Sequence, residues 1–211
     1  MKKYKILNLY AGIGGNRTLW NELFKNIDLE IDVTAVEMNT EIAGIYKYNF
    51  PNDNVIVTDA HQYLLNNYKD FDFIWSSPPC PTHSVLCYSQ PIKQYADMSF
   101  YQQLILLQSW YKGKYCIENV KPYYKYLINP SFIIGRHPFW SNFNVKPLVV
   151  KNIDVSRSTK EELSKYLGIP IPRYKASLLL RNCVEPKTGK HILGCALGIE
   201  QQNNINQLTL L

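Results

Sequence analysis

The chain has 211 residues, of which 46% are hydrophobic and 19% charged, and its formal net charge is +6. This composition is typical of one globular domain with a hydrophobic core, and it excludes a disordered or low-complexity protein. No apolar run is long enough to cross a bilayer, and residues 1–8 lack the apolar stretch of a signal peptide. We therefore expect a cytoplasmic protein with no membrane partner. The positive charge is weak support for a polyanionic partner.

The cysteines match no metal-binding or disulfide pattern. Their number, five, is odd, and no two stand in CxxC spacing. Zinc domains and disulfide-rich secreted domains are therefore disfavoured, and no metal site is predicted. Each cysteine is expected to be either a buried apolar side chain or a reactive thiol. They are Cys80, Cys87, Cys116, Cys183 and Cys195.

Short apolar runs alternate with helical patterns through the first 120 residues. This alternation predicts parallel βαβ units and an α/β fold with a doubly wound, mostly parallel sheet. The predicted strands are 5–10, 33–36, 55–57, 71–75 and 114–117. The predicted helices are 16–24, 40–49 and 98–110.

The pattern is weaker after residue 121. Strands are predicted at 132–134 and 143–150, on either side of a turn at 135–138. A helix is predicted over 159–167, with Ser158 or Thr159 as its N-cap. Two further apolar segments bracket another turn near the C-terminus.

A glycine, a carboxylate or a cysteine follows each of the five predicted parallel strands. Ligands of doubly wound sheets bind beyond the carboxyl ends of the strands. We therefore expect these residues to gather along one edge of the sheet and to form a site. They are Gly12, Glu37, Asp59, Cys80 and Glu118.

Three of these positions suit a nucleoside. The glycine turn at 11–15 lets the backbone approach a ligand, although its spacing matches neither GxGxxG nor a P-loop. Glu37 lies about 20 residues further on, where a carboxylate typically accepts hydrogen bonds from ribose hydroxyls. Asp59 suits either an exocyclic adenine amine or a helix cap. Each also fits a structural role when it is considered alone.

The turn at 77–81 (SPPCP) is the most specific signal. Its prolines fix the backbone and place Cys80 on a turn, where a core role is disfavoured. Thr82 or Ser84 is able to cap a following helix, whose dipole would lower the pKa of the thiol. Glu118, at the end of another strand, is either a surface carboxylate or a partly buried one that shares a proton with a ring nitrogen.

Three segments resemble motifs of the cytosine-C5 DNA methyltransferases. Residues 8–15 (NLYAGIGG) resemble motif I, residues 77–80 (SPPC) the catalytic motif IV, and residues 118–120 (ENV) motif VI. Adenine and cytosine-N4 methyltransferases usually carry Pro-Pro-Tyr or Pro-Pro-Trp instead of the cysteine turn. Residues 158–170 are similar to motif IX, and residues 181–186 are similar to motif X, which packs beside the cofactor pocket.

The resemblance implies a Rossmann-like methyltransferase fold, S-adenosylmethionine (SAM) as cofactor and duplex DNA as partner. Cys80 would add to C6 of a flipped cytosine, and Glu118 would bind N3 and the exocyclic amine. Asn119 and Arg136 complete the implied catalytic set, Arg136 as the nearest stand-in for the motif VIII arginine. The implied SAM-binding residues are Tyr10, Ala11, Gly12, Ile13, Gly14, Gly15, Glu37, Met38, Asp59, Ala60, Pro78, Asn182 and Val184.

The chain departs from the family pattern in three places. It has no Gln-x-Arg-x-Arg run, and Pro81 follows the cysteine where the family usually has glutamine. The family inserts a target-recognition domain in an interval that here spans only 146–157. We expect a SAM-binding and catalytic core at 1–145, a vestigial recognition region at 146–157, and a C-terminal part at 158–211 that completes the SAM site.

Three interpretations of function stay open. The first is a DNA methyltransferase that has relaxed specificity or takes specificity from a homodimer or a partner subunit. The second is the same chemistry on RNA or a free nucleotide, and the third is a non-catalytic SAM-binding or nucleic-acid-binding module.

His83 is assigned either loop contacts or an acid–base role. Side chains able to contact phosphates are Lys146, Lys151, Arg157, Arg173, Lys175, Arg181 and Lys187.

Overall fold

The protein forms one seven-stranded sheet in the order β3-β2-β1-β4-β5-β7-β6. The structure is a computed structural model that describes residues 2–25, 27–84, 95–150, 153–172 and 174–199. Strands β1 to β5 run parallel, while β7 is antiparallel to both β5 and β6. The predicted mostly parallel sheet is thus confirmed. The strands are Lys2–Leu9, Leu29–Val36, Asn54–Ile56, Phe73–Ser76, Lys114–Glu118, Phe132–Ile134 and His137–Ser141.

Helices cover both faces of the sheet. Successive strand residues point to opposite faces, so Leu7 packs with α2 and α3 whereas Ile6 packs with α6. Burial on both faces explains why the central strands are continuous apolar runs. The described residues form helices α1 Thr40–Asn49, α2 Ala60–Asn67, α3 Ser99–Trp110, α4 Lys160–Leu167, α5 Ala176–Arg181 and α6 Pro186–Leu197.

Side-chain caps fix where several helices begin. Asn39 accepts hydrogen bonds from the first turn of α1, and Asp59 accepts one from the first turn of α2. Thr159, one of the two expected caps, forms a capping box with Glu162 at the start of α4. Because Asn39 and Asp59 follow β2 and β3 closely, α1 and α2 begin at the carboxyl edge of the sheet. In the described part of the chain, no helix has the length and apolar character needed to cross a membrane.

The helix predicted over 16–24 is wrong, because only a 3-10 helix forms there, at Trp20–Phe24. The side-chain amide of Asn16 donates to Asn8 Oδ1 at 2.8 Å, and the Arg17 guanidinium forms two hydrogen bonds with the Asp53 carboxylate. These buried contacts hold residues 14–18 in successive turns, so tertiary contacts override the local helical pattern.

The strand predicted over 143–150 is also wrong. The strand forms earlier, as β7, which pairs on one side with β5 and on the other with β6. Gly135, at φ +59°, makes the left-handed turn that folds β7 back onto β6. Four apolar side chains of this segment still pack against the core beside β7, which explains its strand-like composition; they are Phe143, Val145, Leu148 and Val150.

Candidate functional site

The glycine turn at the end of β1 is held against the end of β2. The backbone N–H of Ala11 donates to the carbonyl of Val36 at 3.0 Å. The Glu37 carboxylate accepts from the N–H of Gly12 at 3.1 Å and from the N–H of Asn39 at 2.9 Å. Glu37 therefore stands at the end of β2, as the sequence predicted, and joins the glycine turn to the start of α1.

Three glycines of this turn face different surroundings. A Cβ at Gly14 would lie 2.2 Å from the ring of Phe50, and one at Gly15 would lie 2.6 Å from the carbonyl oxygen of Val184. At Gly12, by contrast, a Cβ would meet no atom within 4 Å. The turn thus opens onto free space at Gly12, beside the Glu37 carboxylate. An open backbone turn next to a carboxylate fits a cofactor with an amino acid end and a ribose, as SAM has.

Replacing Gly14 with alanine is expected to weaken both the fold and the affinity for SAM. Gly14 has φ +87°, which an alanine adopts only with strain, and its new Cβ would press on Phe50. The two effects together should cost about 1–3 kcal/mol. Thermal unfolding with and without SAM, and calorimetric titration with SAM, measure both changes. Gly44→Ala, in α1 where the Cβ meets open space, is the matched control and should leave the affinity for SAM unchanged.

The other predicted SAM-binding residues divide into exposed and buried groups. Met38 is 62% exposed, and Asp59 is exposed while one of its oxygens caps α2. The side chains of Ile13 and Ala60 are each 2% exposed and belong to the core, so only their backbone atoms are available to a ligand. The remaining positions are Tyr10, in the turn itself, Pro78, which is buried, Asn182, which ends α5, and Val184, which packs behind Gly15.

A buried glutamine connects the glycine turn to the next strand along the sheet. Gln103 of α3 donates to the hydroxyl of Tyr10 at 2.8 Å and accepts from the hydroxyl of Ser76 at 2.9 Å. Its side chain is completely buried. Sequence reasoning missed Gln103, and its one signal was a polar residue on the apolar face of a predicted helix.

The cysteine turn follows directly from β4. The carbonyl of Cys80 accepts hydrogen bonds from the N–H groups of His83 and Ser84, both at 3.0 Å. Cys80 is partly exposed and forms no disulfide. The hydroxyl of Thr82 accepts from the N–H of Asp97 at 3.0 Å. The helix expected after Thr82 or Ser84 falls on 85–94, outside the described residues.

The other cysteines differ from Cys80 in position. Cys116 lies in the core of the sheet, and burial raises the pKa of its thiol well above the usual value. Burial likewise raises the pKa of the Cys183 thiol, to about 12. Cys195 lies in α6, whereas Cys87 is outside the described residues. Among the described cysteines, Cys80 is therefore the one at the carboxyl edge between β4 and β5.

Asn119 brings the cysteine turn and Glu118 together. Strands β4 and β5 are neighbours, with Ser76 paired to Ile117, so both strands end at the same edge. The side-chain amide of Asn119 donates to the carbonyl of Pro78 at 3.3 Å, and its oxygen accepts from the N–H of Val120 at 2.8 Å. These bonds fix the backbone before Cys80 relative to the end of β5.

Glu118 is buried and paired with a histidine that the sequence reasoning did not select. Its Oε1 accepts from His137 Nδ1 at 2.5 Å, and Arg136 Nε donates to His137 Nε2 at 3.1 Å. Since Nε2 accepts from Arg136, Nδ1 carries the ring proton. The predicted Arg136 thus reaches Glu118 through His137. The signal that was available is the position of His137, next to Arg136 in the same turn.

His83 is a buried support of the cysteine turn. Its ring is 2% exposed, lies beside Phe100 and Tyr101, and makes a 2.6 Å hydrogen bond between Nδ1 and the hydroxyl of Tyr124. This placement favours the loop-contact interpretation over the acid–base one. Burial lowers the pKa of His83, while the Asp97 carboxylate opposes that shift.

The lowered pKa of His83 predicts a loss of stability in mild acid. As the pH falls through about 6.5, the His83 side chain is protonated in the unfolded chain but stays neutral in the folded chain. The free energy of unfolding therefore falls. The loss ends at the lower, folded pKa, and its slope is at most about 1.4 kcal/mol per pH unit. His83→Gln should remove this contribution, which urea unfolding at a series of pH values measures. An unchanged pH profile in the variant would contradict the prediction.

Known proteins share sequence similarity with this chain. The family described as C-5 cytosine-specific DNA methylase matches residues 4–125, which is more than half of the chain. A tRNA (cytosine(38)-C(5))-methyltransferase of Spodoptera frugiperda is 42% identical over 79 residues, covering 36% of this chain and 23% of that enzyme. The Homo sapiens enzyme of the same name is 33% identical over 82 residues, covering 38% of this chain and 20% of that enzyme.

Among solved structures, the methyltransferase EhMeth of Entamoeba histolytica aligns with a TM-score of 0.42 and 15% identity, covering 78% of this chain and 66% of that one. The matches to the two tRNA methyltransferases span only about a fifth to a quarter of the length of those enzymes. The family match includes the glycine turn, the cysteine turn and the end of β5. The chain therefore belongs to the C-5 cytosine-specific DNA methylase family, and its methyl donor is SAM.

Proposed function

We propose that the protein transfers a methyl group from SAM to C5 of cytosine in a polynucleotide, with Cys80 as the nucleophile. The observation that carries this proposal is the hydrogen bond from the side-chain amide of Asn119 to the carbonyl of Pro78. Asn119 directly follows Glu118, and Pro78 stands two residues before Cys80. A thiol and a buried carboxylate on two segments that are joined at the carboxyl edge can act on one pyrimidine ring.

Each side chain has a defined part in the proposed reaction. The Cys80 thiolate forms a bond to C6 and makes C5 nucleophilic. Glu118 Oε1 is engaged by His137, so Oε2 is the oxygen left for the base, and a proton held between Oε2 and N3 offsets the negative charge that develops on the ring. When bound, SAM supplies an electrophilic methyl group to C5. Loss of the C5 hydrogen as a proton to solvent then restores the double bond and expels the Cys80 thiolate.

We assign the cofactor's parts by the chemistry of the edge. The amino acid end of SAM would occupy the free space at Gly12, and the ribose hydroxyls would donate to the Glu37 carboxylate. Asp59 uses one oxygen to cap α2, and we assign its other oxygen to the adenine amine. Calorimetric titration of Glu37→Gln and Asp59→Asn with SAM tests these roles independently of methyl transfer.

RNA is the first candidate substrate, because the curated relatives reported above are named as tRNA methyltransferases. DNA is the second, because the matched family is described as one of DNA methylases. Labelled SAM, incubated separately with cytosine-containing DNA and with tRNA, distinguishes the two. Bisulfite sequencing of DNA and RNA from cells that express the protein then identifies the sequence context.

Trapping on 5-fluorocytosine tests the covalent step. Fluorine cannot leave C5 as a cation, so the enzyme should stay bound to the methylated base. We expect an adduct that resists denaturation, requires SAM and maps by mass spectrometry to the peptide containing Cys80. Absence of any adduct on both DNA and RNA would overturn the proposal and leave the non-catalytic binding module. An adduct on another cysteine would overturn the assignment of the nucleophile.

A further inference from the structure

A large cavity opens at the amino edge of the sheet, opposite the edge that carries Cys80. Its volume is about 930 Å³, which is within the range of small-molecule sites in proteins. Its walls come from the starts of β1, β2 and β5, the loops before β4 and β5, and the ends of α3 and α6. Among the described residues that line it, none belongs to the glycine turn or the cysteine turn. The cavity is therefore separate from the candidate site for SAM and the base.

Aromatic side chains form much of the wall of this cavity. Trp110, the last residue of α3, is 59% exposed. Tyr111 beside it is buried, and its hydroxyl donates to the carbonyl of Phe71 at 2.9 Å. The ring of Tyr111 also packs edge-on against that of Tyr68 at a centroid distance of 6.3 Å. Because these contacts fix the wall next to the exposed indole, a planar ring can stack on Trp110 without displacing the core.

Three lysines line the same cavity, and all three are exposed. They are Lys69, Lys112 and Lys114. In the part of the chain that the structure describes, none of them forms an ion pair. Three positive charges around one cavity favour an anionic ligand and disfavour a cation. Lysine ammonium groups are common partners of phosphate in proteins.

One carboxylate also lines the cavity. Asp72 Oδ2 accepts from the backbone N–H of Lys5 at 2.8 Å, which anchors the side chain at the wall. Its other oxygen can accept a hydrogen bond from a hydroxyl group, as carboxylates do from ribose in nucleotide sites. The cavity thus combines rings for stacking, an acceptor for hydroxyl groups and ammonium groups for a phosphate.

We infer that this cavity binds a free nucleoside diphosphate, with its base stacked on Trp110 and its phosphates against the three lysines. The ribose hydroxyls lie toward Asp72. An apolar ligand would use only the rings, and inorganic phosphate would use only the lysines, whereas a nucleoside phosphate uses all three kinds of lining group. The site lies at the opposite edge of the sheet from Cys80, so it is independent of the proposed methyl transfer.

Calorimetric titration with adenosine diphosphate and with guanosine diphosphate tests the site. The protein is first saturated with SAM, so that the methyl donor's own pocket is occupied. We expect each diphosphate to bind with a stoichiometry of one. Adenosine, which lacks the charge, and pyrophosphate, which lacks the base, should each bind more weakly by about tenfold or more. Added salt should weaken binding of the diphosphates but not that of adenosine.

Variants of the lining residues test where the diphosphate binds. Trp110→Ala should weaken binding of both diphosphates by about 5- to 100-fold, whereas Trp110→Phe keeps a ring and should retain most of the affinity. Lys69→Gln, Lys112→Gln and Lys114→Gln should each weaken binding by about 2- to 5-fold, because a single exposed charge pair contributes little.

Two exposed residues outside the cavity serve as matched controls. Tyr48 is 81% exposed on α1, and Lys121 is exposed after β5. Neither lines the cavity, so Tyr48→Ala and Lys121→Gln should leave binding of the diphosphates unchanged.

Four results would overturn the inference. They are no binding of either diphosphate, unchanged binding in Trp110→Ala, binding that weakens as the SAM concentration rises, and tighter binding of an oligonucleotide than of the free diphosphates at the same residues. A lower sedimentation mass of Trp110→Ala without any diphosphate binding would assign the cavity to a second copy of the chain instead. Because the titration needs no methyl transfer, its failure and the failure of the trapping experiment are distinguishable.

Discussion

Replacing Cys80 with alanine is expected to lower kcat for methyl transfer by about three orders of magnitude or more, the scale seen when an enzyme loses its nucleophile. The side chain is partly exposed on its turn and makes little contribution to the core, so the fold should be retained. SAM affinity should also be retained, because the glycine turn and Glu37 are held by their own hydrogen bonds. Initial rates with labelled SAM, together with calorimetric titration, separate the two effects.

Cys195→Ser provides the control for a general effect of losing a thiol. Cys195 is partly exposed in α6, and burial raises the pKa of its thiol, but the hydrogen bond between its sulfur and His191 contributes to a net pKa below the usual value. If a low thiol pKa were sufficient for activity, Cys195 would be a competitor to Cys80. We expect full activity in Cys195→Ser. Retained activity in Cys80→Ala would contradict the nucleophile assignment.

Asp53→Ala is expected to reduce the free energy of unfolding by about 3–5 kcal/mol, because it leaves the Arg17 guanidinium buried without its partner. Arg17 and Asp53 form a two-point ion pair at 2.8 and 2.9 Å, and each side chain is 4% exposed. The hydroxyl of Tyr46 also donates to Asp53 at 2.9 Å. For a chain of this size the change should lower Tm by about 10 °C, measured by calorimetry.

Asp32→Ala is the matched control, since it breaks the solvent-exposed ion pair between Asp32 and Lys3. That variant should change the free energy of unfolding by less than about 1 kcal/mol. A double variant, Arg17→Met with Asp53→Leu, removes both charges and should recover much of the loss seen in Asp53→Ala. Equal effects of the two single aspartate substitutions would show that burial of the Arg17 pair is not what stabilises this region.

The carboxyl ends of the parallel strands were predictable because their signals are local. A strand that is buried on both faces reads as a short apolar run, and the residue that ends it, such as Gly12, Glu37 or Cys80, interrupts that run. The N-cap position of Asn39 and the helix that follows it also depend on neighbouring residues alone. The sequence therefore predicted the shared edge of the sheet and most of the residues along it.

Features that depend on distant pairing were not predictable in the same way. His137 is a site residue because β7 returns antiparallel to β5 and brings it to Glu118, and no local pattern specifies that return. Gln103 is polar on an apolar helix face because its partners, Tyr10 and Ser76, lie on two other elements. The helix predicted at 16–24 does not form for the same reason, since the Arg17 side chain is hydrogen-bonded to Asp53, which is distant in sequence.

The support behind the glycine turn comes from residues far along the chain. Val184 and Cys183 close the space behind Gly15, and Gly189 of α6 lies against the backbone of Asn16. Lys190 also bonds Glu22, from which it is separated by 168 residues in sequence. Contacts between such distant residues form late in folding, because a long loop must close first. During synthesis on the ribosome, the nascent chain should therefore acquire its nucleophile well before it acquires a finished binding surface for the methyl donor.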